Sequence, residues 1–144
     1  MYNPLISIII PTFNRPQLLL KTVHNVLNQT WENTEIIIID DGIEDESKNI
    51  ILSLNNNKIK YDKTKNIGCA LARLKGIKNS NGEFITFLDD DDEWDENYLI
   101  NQLKIFNENP SLNMVICNYE INNNKKRDIR DMQNFAINFK KKNL

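Results

Sequence analysis

The chain has 144 residues, a formal net charge of −2 and two cysteines. This length predicts one domain with a core of its own, and the near-neutral charge argues against nucleic-acid binding, which needs a basic surface. No apolar run approaches the roughly 20 residues that cross a bilayer, so no transmembrane segment is expected. Because no secretory signal opens the chain, we expect a cytoplasmic protein, with Cys69 and Cys117 as small core residues rather than disulfide or zinc partners.

The apolar pattern predicts strands and helices in alternation. Near-continuous apolar runs predict five strands, at residues 5–10, 35–39, 58–61, 83–88 and 113–119. Apolar residues at helical spacing predict four helices between them, one starting at Pro16 and the others covering residues 50–54, 70–77 and 95–107. Strands that are apolar throughout are typical of a parallel sheet covered on both faces. The order therefore predicts an α/β fold with a mainly parallel central sheet.

The composition changes near residue 121. Residues 122–126 are polar and are predicted to form a turn or linker. Apolar residues then follow at helical spacing and predict an amphipathic helix, through Ile129, Met132, Ala136 and Phe139. A frayed tail and a membrane-surface helix are the two alternatives. We therefore divide the chain into residues 1–121 and a C-terminal segment at 122–144.

Polar residues follow three of the predicted strands directly. They are Pro11-Thr12-Phe13-Asn14-Arg15 after the first strand, Asp40-Asp41-Gly42 after the second and Asp89-Asp90-Asp91-Asp92 after the fourth. Ligands of open parallel sheets bind beyond the carboxyl ends of the strands. The convergence of three loops on that edge predicts a ligand site there.

The segment 89–96 holds seven carboxylates in eight residues. Two unit charges ~4 Å apart repel by ~1 kcal/mol in water and by ~4 kcal/mol at an effective dielectric constant of 20. A hard cation would offset that cost, and the spacing of Asp89 and Asp91 suits such a ligand pair. The alternative is a solvated acidic loop, which we accept for Asp95 and Glu96 because their charges favour the following helix N-terminus.

Three other polar residues carry two readings each. Asp41 either belongs to a turn or accepts a hydrogen bond from a base or sugar. Arg15 and Arg73 are two of only four arginines. Each either binds phosphate oxygens through two parallel hydrogen bonds or lies on the surface without a ligand.

In their order and spacing, these motifs resemble a known family. The matching segments are Ile8–Arg15, Ile39–Gly42, Asn66–Gly68 with Ala72-Arg73 and Gly76, and Gly82–Asp92. Together they resemble the N-terminal, nucleotide-sugar-binding half of family 2 glycosyltransferases, from about residue 5 to residue 119. The resemblance implies the GT-A fold, a Rossmann-like three-layer α/β/α sandwich. It also implies that residues 1–121 are the donor-binding subdomain and that residues 122–144 begin an acceptor half.

The resemblance implies a role for the loop after the first strand. This loop would bind the donor through Pro11, Thr12, Phe13, Asn14 and Arg15. The first three of these residues would contact the nucleoside. The donor would be a nucleotide sugar, and UDP is the expected nucleotide because an aspartate suits the imide of uracil.

The resemblance also implies roles for five charged residues. Asp41 would read the base, and Arg73 would lie near the pyrophosphate. Asp89 and Asp90 would face the ribose and the metal, and Asp91 would be the direct ligand of Mn2+ or Mg2+. The cation would bridge the two phosphates and stabilise charge on the departing nucleoside diphosphate.

The family's reaction is inverting transfer of a sugar to an acceptor hydroxyl, which needs a carboxylate base. No acidic motif after Asp92 matches that base, so the catalytic residue is unknown and is expected beyond this chain. The alternative is a non-catalytic donor-binding domain that needs a partner or a longer chain. A signalling receiver domain is disfavoured because the fifth strand ends in Asn118-Tyr119, with no lysine directly after it. The acceptor is not identified, and an uncovered sheet edge would favour a homo-oligomer.

Overall fold

A computed structural model of the protein describes residues 2–117 and the backbone of residues 138–140. The elements alternate along the chain: β1 (Ile6–Thr12), α1 (Pro16–Leu27), β2 (Thr34–Asp40), α2 (Glu46–Ser53), β3 (Ile59–Lys63), α3 (Cys69–Asn79), β4 (Phe84–Phe87), α4 (Tyr98–Glu108), β5 (Met114–Val115) and β6 (Asn138–Lys140). The predicted α/β fold is confirmed. In the part of the chain that the structure describes, no helix is long and apolar enough to cross a membrane.

The six strands form one sheet in the order β3-β2-β1-β4-β6-β5. Strands β1 to β4 run parallel to one another, and β6 runs antiparallel to both β4 and β5. The chain moves outward from β1 to β3 and then returns to place β4 on the other side of β1. The order therefore reverses at β1, and a crevice is expected at the carboxyl end of that strand.

Both faces of the sheet are buried. Within β1, Ile8 and Ile10 belong to the larger apolar cluster, which also contains residues of α1, α2 and α4. Ile9 points the other way into a smaller cluster with Ala72 of α3, as the alternation of side chains along a strand requires. This two-sided burial explains why the strand is apolar at every position rather than at every second one.

The last part of the sheet differs from the prediction. Within residues 113–117, the described part of the predicted strand 113–119, Met114–Val115 form β5, which pairs antiparallel with β6 instead of extending the parallel sheet. Residues 138–140 form β6, although the helical pattern through Phe139 predicted a helix there. The pairing gives the backbone of β4 a hydrogen-bonded neighbour on a side that would otherwise be an open edge. The other residues of the predicted helix lie outside the described residues, and the division at residue 121 stays a prediction.

Candidate functional site

A cavity of about 550 Å³ opens at the carboxyl end of β1, where the strand order reverses. Most of the residues predicted for the site line it, namely Pro11, Thr12, Phe13, Arg15, Asp41, Asp89, Asp90 and Asp91. Four further residues from the start of α3 and the loop before it complete the lining: Asn66, Gly68, Cys69 and Ala72. The cavity therefore joins the three loops that the sequence predicted and adds a fourth segment.

The loop after β1 is tied to the acidic loop after β4. The hydroxyl of Thr12 donates to Oδ2 of Asp90 at 2.6 Å. Nη1 of Arg15 donates to Oδ1 of Asp90 at 3.1 Å and to Oδ2 of Asp91 at 2.8 Å. The backbone carbonyl of Asp90 accepts from the hydroxyl of Thr22 at 3.0 Å. Asp90 is buried with both carboxylate oxygens engaged, so its observed contacts hold the two loops together.

Asn14 shapes the same loop without lining the cavity. Its φ of 54° is in the left-handed region, where asparagine is among the better tolerated residues. Its Oδ1 accepts a hydrogen bond from the amide of Ile43 at 3.0 Å. A Cβ at Gly42 would collide with that same Oδ1 and lie 2.9 Å from Oδ1 of Asp40. The close approach of the loops after β1 and β2 therefore requires glycine at position 42.

Asp41 holds the loop that precedes α3. Its Oδ1 accepts from the hydroxyl of Thr64 at 2.5 Å and from the amide of Ile67 at 2.7 Å. Its Oδ2 accepts from the amide of Gly68 at 2.7 Å. Burial alone would raise the pKa of Asp41, but these hydrogen bonds outweigh burial and lower it. Asp41 is therefore an ionised acceptor at the cavity wall.

Sequence reasoning missed the part that this loop plays in the cavity. The Asn66-Ile67-Gly68 motif is the sequence signal that indicates this loop. Both ends of the motif have a positive φ, 53° at Asn66 and 88° at Gly68. Cys69 follows at the first position of α3 and is exposed, so its expected place in the core was wrong. Cys117 is only partly buried.

The acidic loop carries more negative charge than its partners neutralise. Arg73 of α3 forms an ion pair with Asp89, and Arg15 pairs with Asp91. Both carboxylates are about half exposed, at 48% for Asp89 and 49% for Asp91. Burial and the charges of Asp89 and Asp91 raise the pKa of Asp92. Two arginines thus face four consecutive aspartates.

The carboxylates at the cavity are an incomplete set of ligands for a divalent cation. Among the described residues, no group of three or more His, Cys, Asp or Glu side chains is arranged to hold a metal ion. Asp89 and Asp91 do place two carboxylates at the cavity. Mg2+ is commonly held by one or two carboxylates together with the phosphates of a substrate. Two carboxylates alone would hold such a cation weakly, and the residues present fit a cation whose binding is completed by a phosphorylated ligand.

Comparison with known proteins decides the family. The profile of glycosyl transferase family 2 matches residues 7–144. The chain belongs to glycosyl transferase family 2. This confirms the resemblance predicted from the motifs.

Two curated glycosyltransferases illustrate the relationship. The chain is 36% identical over 129 residues to an uncharacterized glycosyltransferase of Rickettsia typhi, covering 89% of this chain and 40% of the relative. It is 35% identical over 129 residues to the UDP-Glc:alpha-D-GlcNAc-diphosphoundecaprenol beta-1,3-glucosyltransferase WfgD of Escherichia coli, covering 86% of this chain and 49% of the relative. The chain thus spans less than half the length of either protein.

Solved glycosyltransferase structures share the fold. The mannosyltransferase PcManGT from Pyrobaculum calidifontis, in complex with GDP-Man and Mn2+, aligns with a TM-score of 0.73 at 19% identity, over 83% of this chain and 36% of that one. S. aureus TarS 1-349 in complex with UDP-GlcNAc aligns with a TM-score of 0.70 at 22% identity, over 81% of this chain and 35% of that one. These likenesses confirm the GT-A fold of this family 2 glycosyltransferase domain.

Proposed function

We propose that the cavity binds a nucleoside-diphosphate sugar and that the chain is the donor-binding part of an inverting glycosyltransferase. One observation carries this proposal: the loops after β1, β2 and β4 and the start of α3 meet in a single cavity. Its volume of about 550 Å³ is within the usual range of small-molecule sites. Arg15 lies among the lining carboxylates, and Arg73, which is outside the lining, pairs with Asp89; this arrangement suits a diphosphate bound together with a cation.

The nucleoside would lie between the β1 loop and Asp41. Pro11, Thr12 and Phe13 line the cavity, and Phe13 is 44% exposed, so an aromatic ring is available to a base. Asp41 is kept ionised by its three donors and can only accept hydrogen bonds. An imide N–H is the matching donor, which favours uracil.

The diphosphate would lie against Arg15 and Arg73, with the cation on Asp91 and Asp89. When bound, Mn2+ or Mg2+ would stabilise the charge that develops on the departing nucleoside diphosphate. Inverting transfer also needs a carboxylate base at the acceptor hydroxyl, and no described residue is assigned that role. UDP is the first choice of nucleotide because WfgD is named for UDP-Glc and TarS was solved with UDP-GlcNAc. The GDP-Man complex of PcManGT makes GDP the second choice.

Calorimetric titration of UDP into the purified chain, first with Mn2+ and then with EDTA, tests the proposal. We expect UDP to bind only with the metal and more tightly than GDP or dTDP. Preference for GDP would mean that the base is guanine rather than uracil, while the cavity would remain the donor site. Failure of all three nucleotides to bind in the presence of Mn2+ would contradict donor binding by this chain. Sugar transfer to supplied acceptors, compared with donor binding alone, would then separate an enzyme from a non-catalytic binding domain.

The variant Asp91→Asn tests the cation. We expect it to remove the part of UDP affinity that depends on Mn2+, because a neutral amide is a poor ligand for a hard cation. The fold should persist, since Asp91 is half exposed and its loss relieves crowding. Asp95→Asn is the matched control: its carboxylate is in the same segment and accepts from the amide of Asn97 at 2.9 Å. Equal Mn2+-dependent binding by Asp91→Asn and wild type would remove Asp91 from the site.

A further inference from the structure

The carboxylates proposed to hold the cation already have cationic partners. Oδ2 of Asp91 lies 2.8 Å from Nη1 of Arg15, and Asp89 is paired with Arg73. The two arginines come from different elements, the loop after β1 and helix α3. A guanidinium group is therefore paired with each of the two carboxylates that would bind the cation.

A guanidinium group and a divalent cation compete for the same carboxylate oxygens. Both arginine side chains are partly exposed, at 50% for Arg15 and 34% for Arg73. Ion pairs of this exposure are weak, and their loss typically changes an equilibrium by no more than about fivefold. The pairs are therefore weak enough to be replaced by a ligand.

Asp90 gives the loop an anchor that this exchange leaves in place. Its Oδ2 is held by the hydroxyl of Thr12 at 2.6 Å, and its backbone carbonyl accepts from Thr22. If Arg15 turned towards a phosphate, Asp90 would keep both of these contacts. Asp90 would lose the third contact, from Nη1 of Arg15 to its Oδ1 at 3.1 Å, and the half-exposed Asp89 and Asp91 would change partners.

We propose that Arg15 and Arg73 act as surrogate cations, which hold Asp91 and Asp89 until a nucleoside diphosphate draws them to its phosphates and leaves the carboxylates to the metal. This inference rests on the proposed function. It makes the two arginines positioning residues that couple the binding of cation and nucleotide. By linkage, each ligand then raises the affinity of the other by the same factor.

The test measures Mn2+ binding in the absence of nucleotide, by electron paramagnetic resonance of the free ion. We expect Arg15→Gln to bind Mn2+ about fivefold more tightly than wild type because its competitor is gone, and Arg73→Gln to change in the same direction. The matched control is Lys21→Gln, which removes the same charge from a pair with Glu93 beside the same loop. Lys21 contacts neither Asp89 nor Asp91, so its variant should bind Mn2+ as wild type does.

A second readout measures the coupling itself. The ratio of Mn2+ affinities with and without UDP should fall in Arg15→Gln by about the factor by which its affinity for Mn2+ alone rises. Arg15→Lys keeps the charge but lacks the planar fork, so it should restore part of the wild-type coupling. If Arg15 served folding alone, its variants would keep the wild-type ratio of Mn2+ affinities with and without UDP. Thermal melting of each variant checks the fold.

Three results would overturn the inference: equal Mn2+ binding by Arg15→Gln and wild type, no Mn2+ binding by either, or an equal gain in Lys21→Gln. The third would show that overall charge, and not the contact, governs affinity for the cation. The proposed function fails separately, if wild type does not bind UDP with Mn2+. In that case, Mn2+ binding without nucleotide still shows whether the arginines compete with the metal for the carboxylates.

Discussion

The two ends of the parallel strands use carboxylates in opposite ways. At the amino end, Glu35 of β2 is buried and accepts four hydrogen bonds: from the hydroxyl of Ser7 at 2.5 Å, from the backbone amide of Asn81 at 2.5 Å, from Nδ2 of Asn81 at 3.3 Å and from Nζ of Lys60 at 2.7 Å. We call these four residues the amino-edge cluster. At the carboxyl end, Asp89 and Asp91 are half exposed and each is paired with one arginine.

The difference is the ratio of donors to carboxylate oxygens. In the amino-edge cluster one carboxylate has several donors, and they come from β1, β3 and the turn before β4. Such a saturated group fixes the spacing of strands and has little capacity left for a ligand. The acidic loop has four carboxylates and two arginines, so it keeps an excess of negative charge that a cation can offset. Glu35 is therefore structural, whereas the excess charge of the acidic loop favours a cation.

Replacing Glu35 should give the largest loss of stability. Glu35→Ala removes the acceptor of four hydrogen bonds, and we expect the free energy of unfolding to fall by about 3 kcal/mol. Urea unfolding followed by circular dichroism measures it. Glu44→Ala, an exposed glutamate in the loop before α2, is the control and should stay within about 0.5 kcal/mol of wild type. A loss below 1 kcal/mol in Glu35→Ala would show that the cluster is not structural.

The amino-edge cluster also predicts a dependence on pH. Burial alone would raise the pKa of Glu35, but the hydrogen bonds from Lys60, Ser7 and Asn81 outweigh burial and lower it to about 2. An ordinary glutamate in the unfolded chain titrates near pH ~4.3. The stabilisation is therefore complete above about pH 5 and is lost as the pH falls towards 2. Glu35→Gln cannot titrate, so its stability should fall less steeply than that of wild type over this range. Parallel curves would contradict the assigned pKa.

Asp41 sharpens the comparison because it accepts three hydrogen bonds at the carboxyl end and also lines the cavity. Asp41→Asn offers one oxygen where three donors need acceptors, so one N–H of a partly buried hydrogen bond is left unpaired at a cost of about 1 kcal/mol. We expect weaker protection of the amides of Ile67 and Gly68 in hydrogen exchange, and UDP affinity at least tenfold lower.

The control for Asp41→Asn is Asp45→Asn. Asp45 is exposed and pairs with Lys63 at 2.6 Å, and it does not line the cavity. It should bind UDP as wild type does. Unchanged amide protection in Asp41→Asn would show that Asp41 does not hold the loop before α3.

How far the sequence predicts this molecule depends on the range of the interactions. Strands β1 to β4 and helices α1 to α4 follow from local periodicity, and the three polar loops follow from where those strands end. The part played by Asp41 at the loop before α3 does not follow, because its donors lie more than 20 residues away along the chain. The sequence also fails to predict strand β6, for the same reason. Phe139 belongs to a helical pattern, but its backbone pairs with Ile85 of β4, and strand pairing depends on the partner more than on local sequence.

The smallest effect should come from Asp92, the least compensated residue of the acidic loop. Burial and the charges of Asp89 and Asp91 raise its pKa, so its ionised form is disfavoured in the folded state. A raised pKa means that stability falls as the pH rises through the folded value. Asp92→Asn should therefore be more stable than wild type at pH 7 by at most about 0.5 kcal/mol, because exposed charges are screened.

That gain should vanish at pH 3, where Asp92 of the wild type is mostly protonated, and should shrink in ~1 M salt, where the Debye length is only ~3 Å. Urea midpoints at both pH values and both salt concentrations measure it. A loss of stability at pH 7 would mean that Asp92 has a favourable partner in solution. The acidic loop would then be saturated like the amino-edge cluster, and its charge would no longer argue for a cation. A gain that vanishes with acid and shrinks with salt identifies uncompensated repulsion, the property that separates this end of the sheet from the other.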